Sequence, residues 1–323
     1  MGTYLVTGAA GFIASRTVEM LLDAGHRIVG VDNLNDYYDV RLKEHRLERL
    51  RTRPEFEFVR ADIEQFPALA PLFARCRFDA VLNLAARAGV RASIENPHVY
   101  LTTNTLGTLN LLELMRRHGV AKLVLASSSS LYAGQPLPFA EDLPVNTPLS
   151  PYAASKKAAE LLAYSYHRLH RIDTTVLRYF TVYGPASRPD MAVWRFIQWI
   201  DEGRPIELFG DGTQARDFTY VDDIARGTIL ALAPLGYEII NLGGGRNPLA
   251  LTALIEKLER LIGKKAAIER RAIHTADVKE TWADIAKAGR LLGWQPGIDI
   301  DEGLLRTVAW HRENNVWARM VKL

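Results

Sequence analysis

A strand that runs straight into a glycine turn and then a helix constrains this chain more than any other feature. The predicted strand Thr3–Thr7 leads into Gly8-Ala9-Ala10-Gly11-Phe12-Ile13-Ala14. Glycines three apart let the backbone turn tightly and bring N–H groups close to a phosphate. The helix predicted over Gly11–Ala24 aims its positive end at the same point, and the small Ala14 lets that helix pack close on a sheet. Such a glycine pair alone is a weak signal, because glycine also occupies plain turns. Its context is stronger. A second strand, Arg27–Asp32, ends in a carboxylate 24 residues after Gly8, where it can accept hydrogen bonds from both hydroxyls of a ribose. Asp32 would repel a 2′-phosphate, and Asn33 rather than an arginine follows it, which favours NAD over NADP.

The rest of the chain continues the alternation. Further strands are predicted at Phe56–Asp62, Ala80–Ala85, Leu123–Ser127 and Thr174–Phe180. Long helices are predicted within Ile94–His118, stopped by Gly119, and over Pro151–His170. Short continuous apolar strands separated by helices imply parallel pairing with both faces covered. The expected fold class is therefore α/β, a doubly wound parallel Rossmann sheet. After Gly184 the pattern loosens into a helix near Ala192–Glu202, short segments at Ile206–Phe209, Asp217–Val221 and Ile239–Leu242, and a helix near Leu249–Ile262. We expect residues 1–184 to form mainly the NAD-binding domain, with later excursions at about 210–245, and 185–323 mainly a smaller α/β substrate-binding lobe. The arginine-rich stretch Arg41–Arg53 is interrupted by Glu44 and Glu48 and reads as a solvated helix face.

Cofactor contacts are expected from Gly8, Ala10, Gly11, Phe12 and Ile13 in the turn, and from Asp32 and Asn33 at the second strand. Asp62, Ile63, Leu84, Ala85, Ala86, Ser127 and Tyr179 at later strand ends, with Tyr152 and Lys156, complete the set. Tyr152 and Lys156 stand four apart after Pro151, which places them on one helix face, one turn apart. A free tyrosine titrates near ~10. A neighbouring ammonium and the positive nicotinamide ring would lower that value, so that Tyr152 can remove a hydroxyl proton. A Tyr-x-x-x-Lys pair is common by chance. Here it follows a strand ending in Ser127-Ser128-Ser129-Ser130, whose hydroxyls can hydrogen-bond a reacting oxygen.

These residues, in this order, resemble the extended short-chain dehydrogenase/reductases that act on nucleotide sugars, and within them the UDP-glucuronate 4-epimerases. The likeness spans nearly the whole chain. It is carried by Asp32-Asn33-Leu34-Asn35-Asp36-Tyr37-Tyr38-Asp39, Ala88-Gly89-Val90-Arg91, Phe180-Thr181-Val182-Tyr183-Gly184-Pro185, Arg188-Pro189-Asp190-Met191-Ala192 and Arg216-Asp217-Phe218. The resemblance implies Tyr152 as base, Lys156 as its partner and Ser128 as the hydroxyl helper, with Ser129 the alternative one residue on. It implies Ser129, Thr181 and Arg188 at a sugar carboxylate, Arg216 on the diphosphate, Asp277 at the uridine ribose and Arg91 among the substrate contacts. It also implies a homodimer built as a four-helix bundle from the two long helices, whose surplus apolar positions include Leu111, Leu112, Leu161 and Leu162. The chain departs from the family pattern at Arg87, where glutamine is usual, at Ala133 and Ser187 in place of glycines, and at His274-Thr275-Ala276-Asp277 in place of a proline–glycine turn.

The implied reaction is 4-epimerisation of a UDP-hexuronic acid through a transient 4-keto sugar, with tightly bound NAD and no metal. Related dehydratases and decarboxylases carry an acid within two residues after the catalytic hydroxyl, where this chain has Ser129 and Ser130. Galactose-type epimerases usually have asparagine at the place of Thr181. A UDP-glucose/UDP-galactose 4-epimerase, a UDP-glucuronate decarboxylase and a non-catalytic NAD-binding regulator are the other readings. A net charge of +3 over 323 residues gives no reason to expect nucleic acid or a membrane surface as partner. The lone Cys76 cannot form an internal disulfide, no apolar run reaches membrane-span length, and the N-terminus reads as a strand rather than a signal peptide. The expected location is the cytoplasm.

Overall fold

Parallel strands buried on both faces dominate the computed structural model, which describes residues 1–246, 248–272 and 278–321. The first six are β1 (Thr3–Thr7), β2 (Arg27–Asp32), β3 (Phe56–Arg60), β4 (Ala80–Asn83), β5 (Lys122–Ser128) and β6 (Asp173–Tyr179). The chain then leaves the sheet for β7 (Thr181–Tyr183), β8 (Ile206–Phe209), β9 (Ala215–Arg216) and β10 (Phe218–Tyr220), and returns as β11 (Tyr237–Leu242). The seven-stranded sheet has the order β11-β6-β5-β4-β1-β2-β3. All its pairings are parallel. This is the doubly wound α/β architecture the alternation predicts. Strand side chains alternate between faces, and the core divides accordingly. Val6, Ile28, Leu82 and Val124 belong to one cluster, while Leu5, Val29, Val81 and Leu123 belong to the other.

The helices are α1 (Phe12–Asp23), α2 (Val40–Arg51), α3 (Phe66–Arg75), α4 (Val90–Glu95), α5 (His98–Tyr100), α6 (Gly107–His118), α7 (Pro151–His170), α8 (Ala192–Glu202) and α9 (Val221–Leu230). Beyond β11 come α10 (Leu251–Ile262), α11 (Ala286–Leu292), α12 (Ile300–Glu313) and α13 (Asn315–Ala318). Strand order reverses at β1, whose neighbours are β2 and β4. Crevices at such switch points, beyond the strands' C-terminal ends, take the ligand.

Three sequence expectations need correction. The helix expected over Ile94–His118 is interrupted: α4 ends at Glu95, and Pro97 brings in a fresh start because it has no N–H to continue the ladder. Residues Leu101–Leu106 then wind as a wider π-helical turn before α6, which stops at left-handed Gly119. Helix α2 is not merely solvated, since Lys43 and Arg46 are buried. Leu111 and Leu112 are fully buried in this chain's own core, whereas Leu161 on α7 is 55% exposed.

The register of α7 on the sheet is set by polar contacts in the core. Ser150 caps the helix, its Oγ accepting from the Ala153 N–H at 3.2 Å. Arg178 on β6 donates to Glu160 on α7 through Nε at 3.0 Å and Nη2 at 2.8 Å, and through Nη1 to the Tyr132 hydroxyl at 2.7 Å. Both members of this ion pair have side chains only 1% exposed. Ser127 adds a hydrogen bond to Glu160 at 2.6 Å. Removing one partner of a buried pair typically costs about 3–5 kcal/mol, because the other charge is left unpaired.

On α12, His311 is buried and pushed down to about 4 by loss of solvation, opposed by Asp201. Its Nε2 is buried without a hydrogen-bond partner. The unfolded chain binds this proton near ~6.5, so between there and about 4 the unfolded state holds more protons than the fold. Stability should therefore fall with acidification, by up to about 1.4 kcal/mol per pH unit from this one group. Urea titrations of the wild-type chain and of His311→Asn from pH 7 to 4.5 should show a shallower slope in the variant; equal slopes would remove His311 as the cause.

Candidate active site

Two connected chambers open beyond the C-terminal ends of the strands. The first, ≈ 420 Å³, runs from Gly8, Gly11 and Asp32 past Ala85 to Ser128, Tyr152, Lys156 and Arg188. The second, ≈ 520 Å³, is lined by Arg91, Arg195, Phe209, Arg216 and Phe218. Tyr37, Gly89, Val90, Thr181, Val182 and Met191 border both.

The glycine turn is built for close approach. Gly8 has φ 69°, and a Cβ there would lie 2.8 Å from the backbone N and Cα of Ala85. Only glycine lets the turn meet the end of β4, and the cradle so formed fits a dinucleotide's pyrophosphate beside the start of α1. Gly11, Phe12, Ile13, Asn33, Asp62, Ile63, Leu84, Ala85 and Ala86 line the same chamber. Ala10 does not. Fully buried, it donates its N–H to Asp32 Oδ2 at 3.2 Å. The Leu34 N–H holds the other carboxylate oxygen at 2.8 Å. Asp32 is thus oriented at the strand end, where its remaining lone pairs can take ribose hydroxyls. Asn33 donates to Asp62 at 2.7 Å, tying β2 to the segment after β3. Lys43 lies 3.9 Å from Asp32 Oδ1; burial pushes its ammonium down, with Asp32 opposing. These residues fit NAD.

At the chamber's other end, Ser128 closes β5 and Tyr152 opens α7. Burial pushes the Tyr152 phenol above its ordinary range. A hydrogen bond from Ser128 and the charge of Arg188 pull it back down. Lys156 donates to the Ala126 carbonyl at 2.8 Å, and burial brings its own ammonium down to about 8, with Glu160 opposing. Ser128 Oγ accepts from Ser130 Oγ at 2.9 Å, which leaves its own proton for the phenol or a bound oxygen. Ser129 also lines the chamber, but it is Ser128 that meets Tyr152. Ser127 and Tyr179 line it as well, with their hydroxyls engaged elsewhere, on Glu160 and on Thr228 at 2.7 Å.

Arg188 and Thr181 lie in the first chamber, and Arg91 and Arg216 in the second. Arg188 forks onto Asp190 through Nε at 3.0 Å and Nη2 at 2.6 Å. Arg91 stacks on Phe209 at 4.1 Å, and Arg216 donates to the Ala215 carbonyl at 2.9 Å. Asp277 lies outside the described residues. Among the described residues no cluster of three or more potential metal ligands occurs, and no helix is long and apolar enough to cross a membrane.

Several site residues carry no role from sequence reasoning. Tyr37 sits against Gly89, where a Cβ would come 2.5 Å from its hydroxyl, and it hydrogen-bonds Tyr100. Asn104, on the π turn, accepts from Arg87 N at 2.9 Å and donates to Arg87 O at 3.0 Å and Ser155 Oγ at 2.9 Å, joining the post-β4 loop to α7. Arg87 reaches Asn35 at 3.1 Å and lines the cofactor chamber. A glycine within a recognised motif could have flagged Tyr37; nothing local marks Asn104.

With Asp32 oriented at the ribose end, the protein should bind NAD more tightly than NADP. Fluorescence titration of the cofactor-stripped chain measures both constants; equal or tighter NADP binding would contradict the role given to Asp32.

Residues 4–243 match the model of the NAD dependent epimerase/dehydratase family. A UDP-glucuronate 4-epimerase of Thermodesulfobacterium geofontis is 62% identical over the full length of both chains. A solved UDP-glucuronic acid 4-epimerase of Bacillus cereus, in complex with UDP-glucuronic acid and NAD, is 38% identical and superposes with a TM-score of 0.91, covering 96% of this chain and 99% of that one. A UDP-glucose 4-epimerase of Thermotoga maritima, solved with UDP-glucose, is 32% identical with a TM-score of 0.88 over 97% of this chain and 99% of that one. By the extent of the family match and the closeness of these relatives, the chain belongs to the NAD-dependent epimerase/dehydratase family.

Proposed function

We propose that this protein interconverts UDP-glucuronate and UDP-galacturonate by inverting C4. One observation carries the choice of an acid sugar: the Arg188 guanidinium lines the same chamber as the Tyr152 phenol, and its charge opposes the rise that burial imposes on that phenol. A cation and the base therefore share one chamber, as a substrate with a carboxylate beside its reacting carbon requires. Of the five N–H donors on a guanidinium, Asp190 takes two, which orients the group and leaves donors for a carboxylate.

In this mechanism Tyr152 removes the O4 proton and Ser128 donates a hydrogen bond to the same oxygen. NAD, when bound, supplies the redox chemistry at C4, and its positive ring adds to the stabilisation of the phenolate. Lys156 holds a positive charge beneath that end of the site. The 4-keto sugar turns about its diphosphate link and presents its other face, and Tyr152 returns the proton. The intermediate is a β-keto acid, prone to lose CO₂. Arg188, with Thr181 and Ser129, holds the carboxylate as an anion, and loss of CO₂ would strip that charge from its partner. Among the described residues lining the first chamber the carboxylates are Asp32 and Asp62, both assigned to the cofactor end. Among the described residues lining this chamber, none beside Ser128 is an acid that could serve dehydration or decarboxylation. The side built on β1–β6 takes NAD, and residues from 185 onward, with Arg91, take the nucleotide; Arg216 is assigned to the diphosphate and Asp277 to the uridine ribose.

The test is to incubate the protein separately with UDP-glucuronate, UDP-glucose and UDP-xylose and to identify products by NMR. UDP-galacturonate should form from the first, with little pentose. Conversion of UDP-glucose alone would defeat the acid-sugar reading, and predominant CO₂ release would make the protein a decarboxylase. Tyr152→Phe should lower turnover by roughly 10²–10⁴-fold. Arg188→Ala should depress the acid substrate by about one to two decades, the worth of a charge-assisted hydrogen bond of ~1.5–3 kcal/mol. A protein that only binds NAD would show no reduced nicotinamide at 340 nm on adding any UDP-sugar.

We further propose a homodimer in which α7 and the helix before it pair with their copies. The exposed Leu101 (48%), Leu106 (42%), Leu161 (55%) and Tyr164 (48%) support this face. Light scattering at micromolar concentration should give twice the chain mass; a monomer would overturn it. A cytoplasmic setting accords with the single free thiol of Cys76.

A further inference from the structure

Arg46 on α2 is a buried cation, 5% exposed, that the mechanism above does not use. Its Nη1 donates to the Ala10 carbonyl at 2.9 Å and the Tyr38 hydroxyl at 2.7 Å. Its Nε and Nη2 donate to the Ala186 carbonyl at 3.0 and 2.7 Å, and Nη2 reaches the Ser187 carbonyl at 3.3 Å. Among the described residues no carboxylate pairs with it. A guanidinium satisfied by carbonyls and a phenol is a costly filling for a core, where an apolar side chain would avoid the desolvation. What the charge accomplishes is geometric. One rigid fork grips backbone from two separate segments on either side of the site.

Both segments matter. Ala10 belongs to the phosphate turn, and its N–H orients Asp32. Ala186 and Ser187 lead directly into Arg188. Ala186 has φ 52°, a left-handed conformation disfavoured by its Cβ. The carbonyl of that same residue takes two of Arg46's hydrogen bonds, so the strained turn is held from outside the loop. Ser187, whose hydroxyl is buried without a partner, adds no side-chain anchor of its own. Asp190 orients the Arg188 guanidinium, and Arg46 holds the backbone that leads into it.

We propose that Arg46 is a positioning residue that locks the Arg188 loop to the cofactor turn and thereby sets the preference for a carboxylated sugar. This rests on the reading that Arg188 takes the sugar carboxylate. A lysine keeps the charge but offers no planar fork to span both segments, so even Arg46→Lys should lose the effect.

The experiment uses the NAD-loaded wild-type chain, Arg46→Lys and Arg46→Met. Calorimetry gives the dissociation constants of UDP-glucuronate and UDP-glucose for each, and melting curves follow stability. The wild type should bind the acid sugar more tightly. In both variants the ratio of the two constants should shrink at least tenfold, with UDP-glucose binding changed less than threefold. Lower melting temperatures with the ratio intact would overturn the proposal, because a purely structural role affects both ligands alike. If Arg46→Met fails to fold, Arg46→Lys decides. A wild type with no preference for the acid would remove both the carboxylate reading and this proposal; a preference that survives in Arg46→Lys removes the proposal alone.

Discussion

The ion pair between Glu160 on α7 and Arg178 on β6 carries the rest of the structure. Its two side chains are nearly inaccessible, and they bind one another twice. Ser127 from β5 and Tyr132 from the turn that follows join the same network. One turn earlier on α7, Lys156 is tied to the Ala126 carbonyl of β5. The catalytic helix is thus pinned to two adjacent strands by directional bonds rather than by apolar contact alone. A helix sliding on a greasy face could settle a residue out of register; this one cannot without burying an unpaired charge. That is what keeps the Tyr152 phenol at the end of β5, within reach of Ser128.

Charged groups of both signs line the two chambers. Asp32 and Asp62 line one end of the first, where in the proposed arrangement they would face the cofactor's ribose. Arg188 shares the chamber with Tyr152, and in the proposed reaction it would hold the carboxylate that the keto intermediate tends to lose. Arg91, Arg195 and Arg216 gather in the second chamber, which suits a diphosphate. Anchoring one end of the substrate by its nucleotide while its sugar is free to turn is what a single base needs in order to invert a centre. Arg46 joins the glycine turn to the segment before Arg188 through the carbonyls of Ala10, Ala186 and Ser187, with the Tyr38 hydroxyl as a further acceptor.

How much of this was legible in sequence depends on the range of the interaction. Gly8, Asp32, Tyr152 and Lys156 could be read because their chemistry demands given residue types at fixed spacing along a strand, a turn or a helix. The parallel sheet could be read because strands such as β5, buried along its whole length, carry an unbroken apolar centre, Leu123–Ala126. Arg46 reaches Ala186 across 140 residues, and no local pattern separates it from the solvated arginines beside it on α2. The break at Pro97 was visible as a residue but overruled by the apolar periodicity on either side. Asn104 acts from a wide helical turn that only tertiary packing maintains. Likewise the contact of Lys156 with the Ala126 carbonyl and the rise that burial imposes on the Tyr152 phenol are set by packing of α7 on β5, which the spacing of the two residues does not encode.

The proposed reaction is a closed cycle at one carbon: Tyr152 would handle the O4 proton, and the hydrogen removed from C4 would return to that carbon on the other face of the sugar. UDP-glucuronate deuterated at C4, incubated with the protein in ordinary water, tests it most directly. Mass spectrometry and NMR of the UDP-galacturonate formed should find the deuterium retained at C4. Loss of the label to solvent, or its appearance at C5, would mean inversion by proton exchange and would contradict the mechanism.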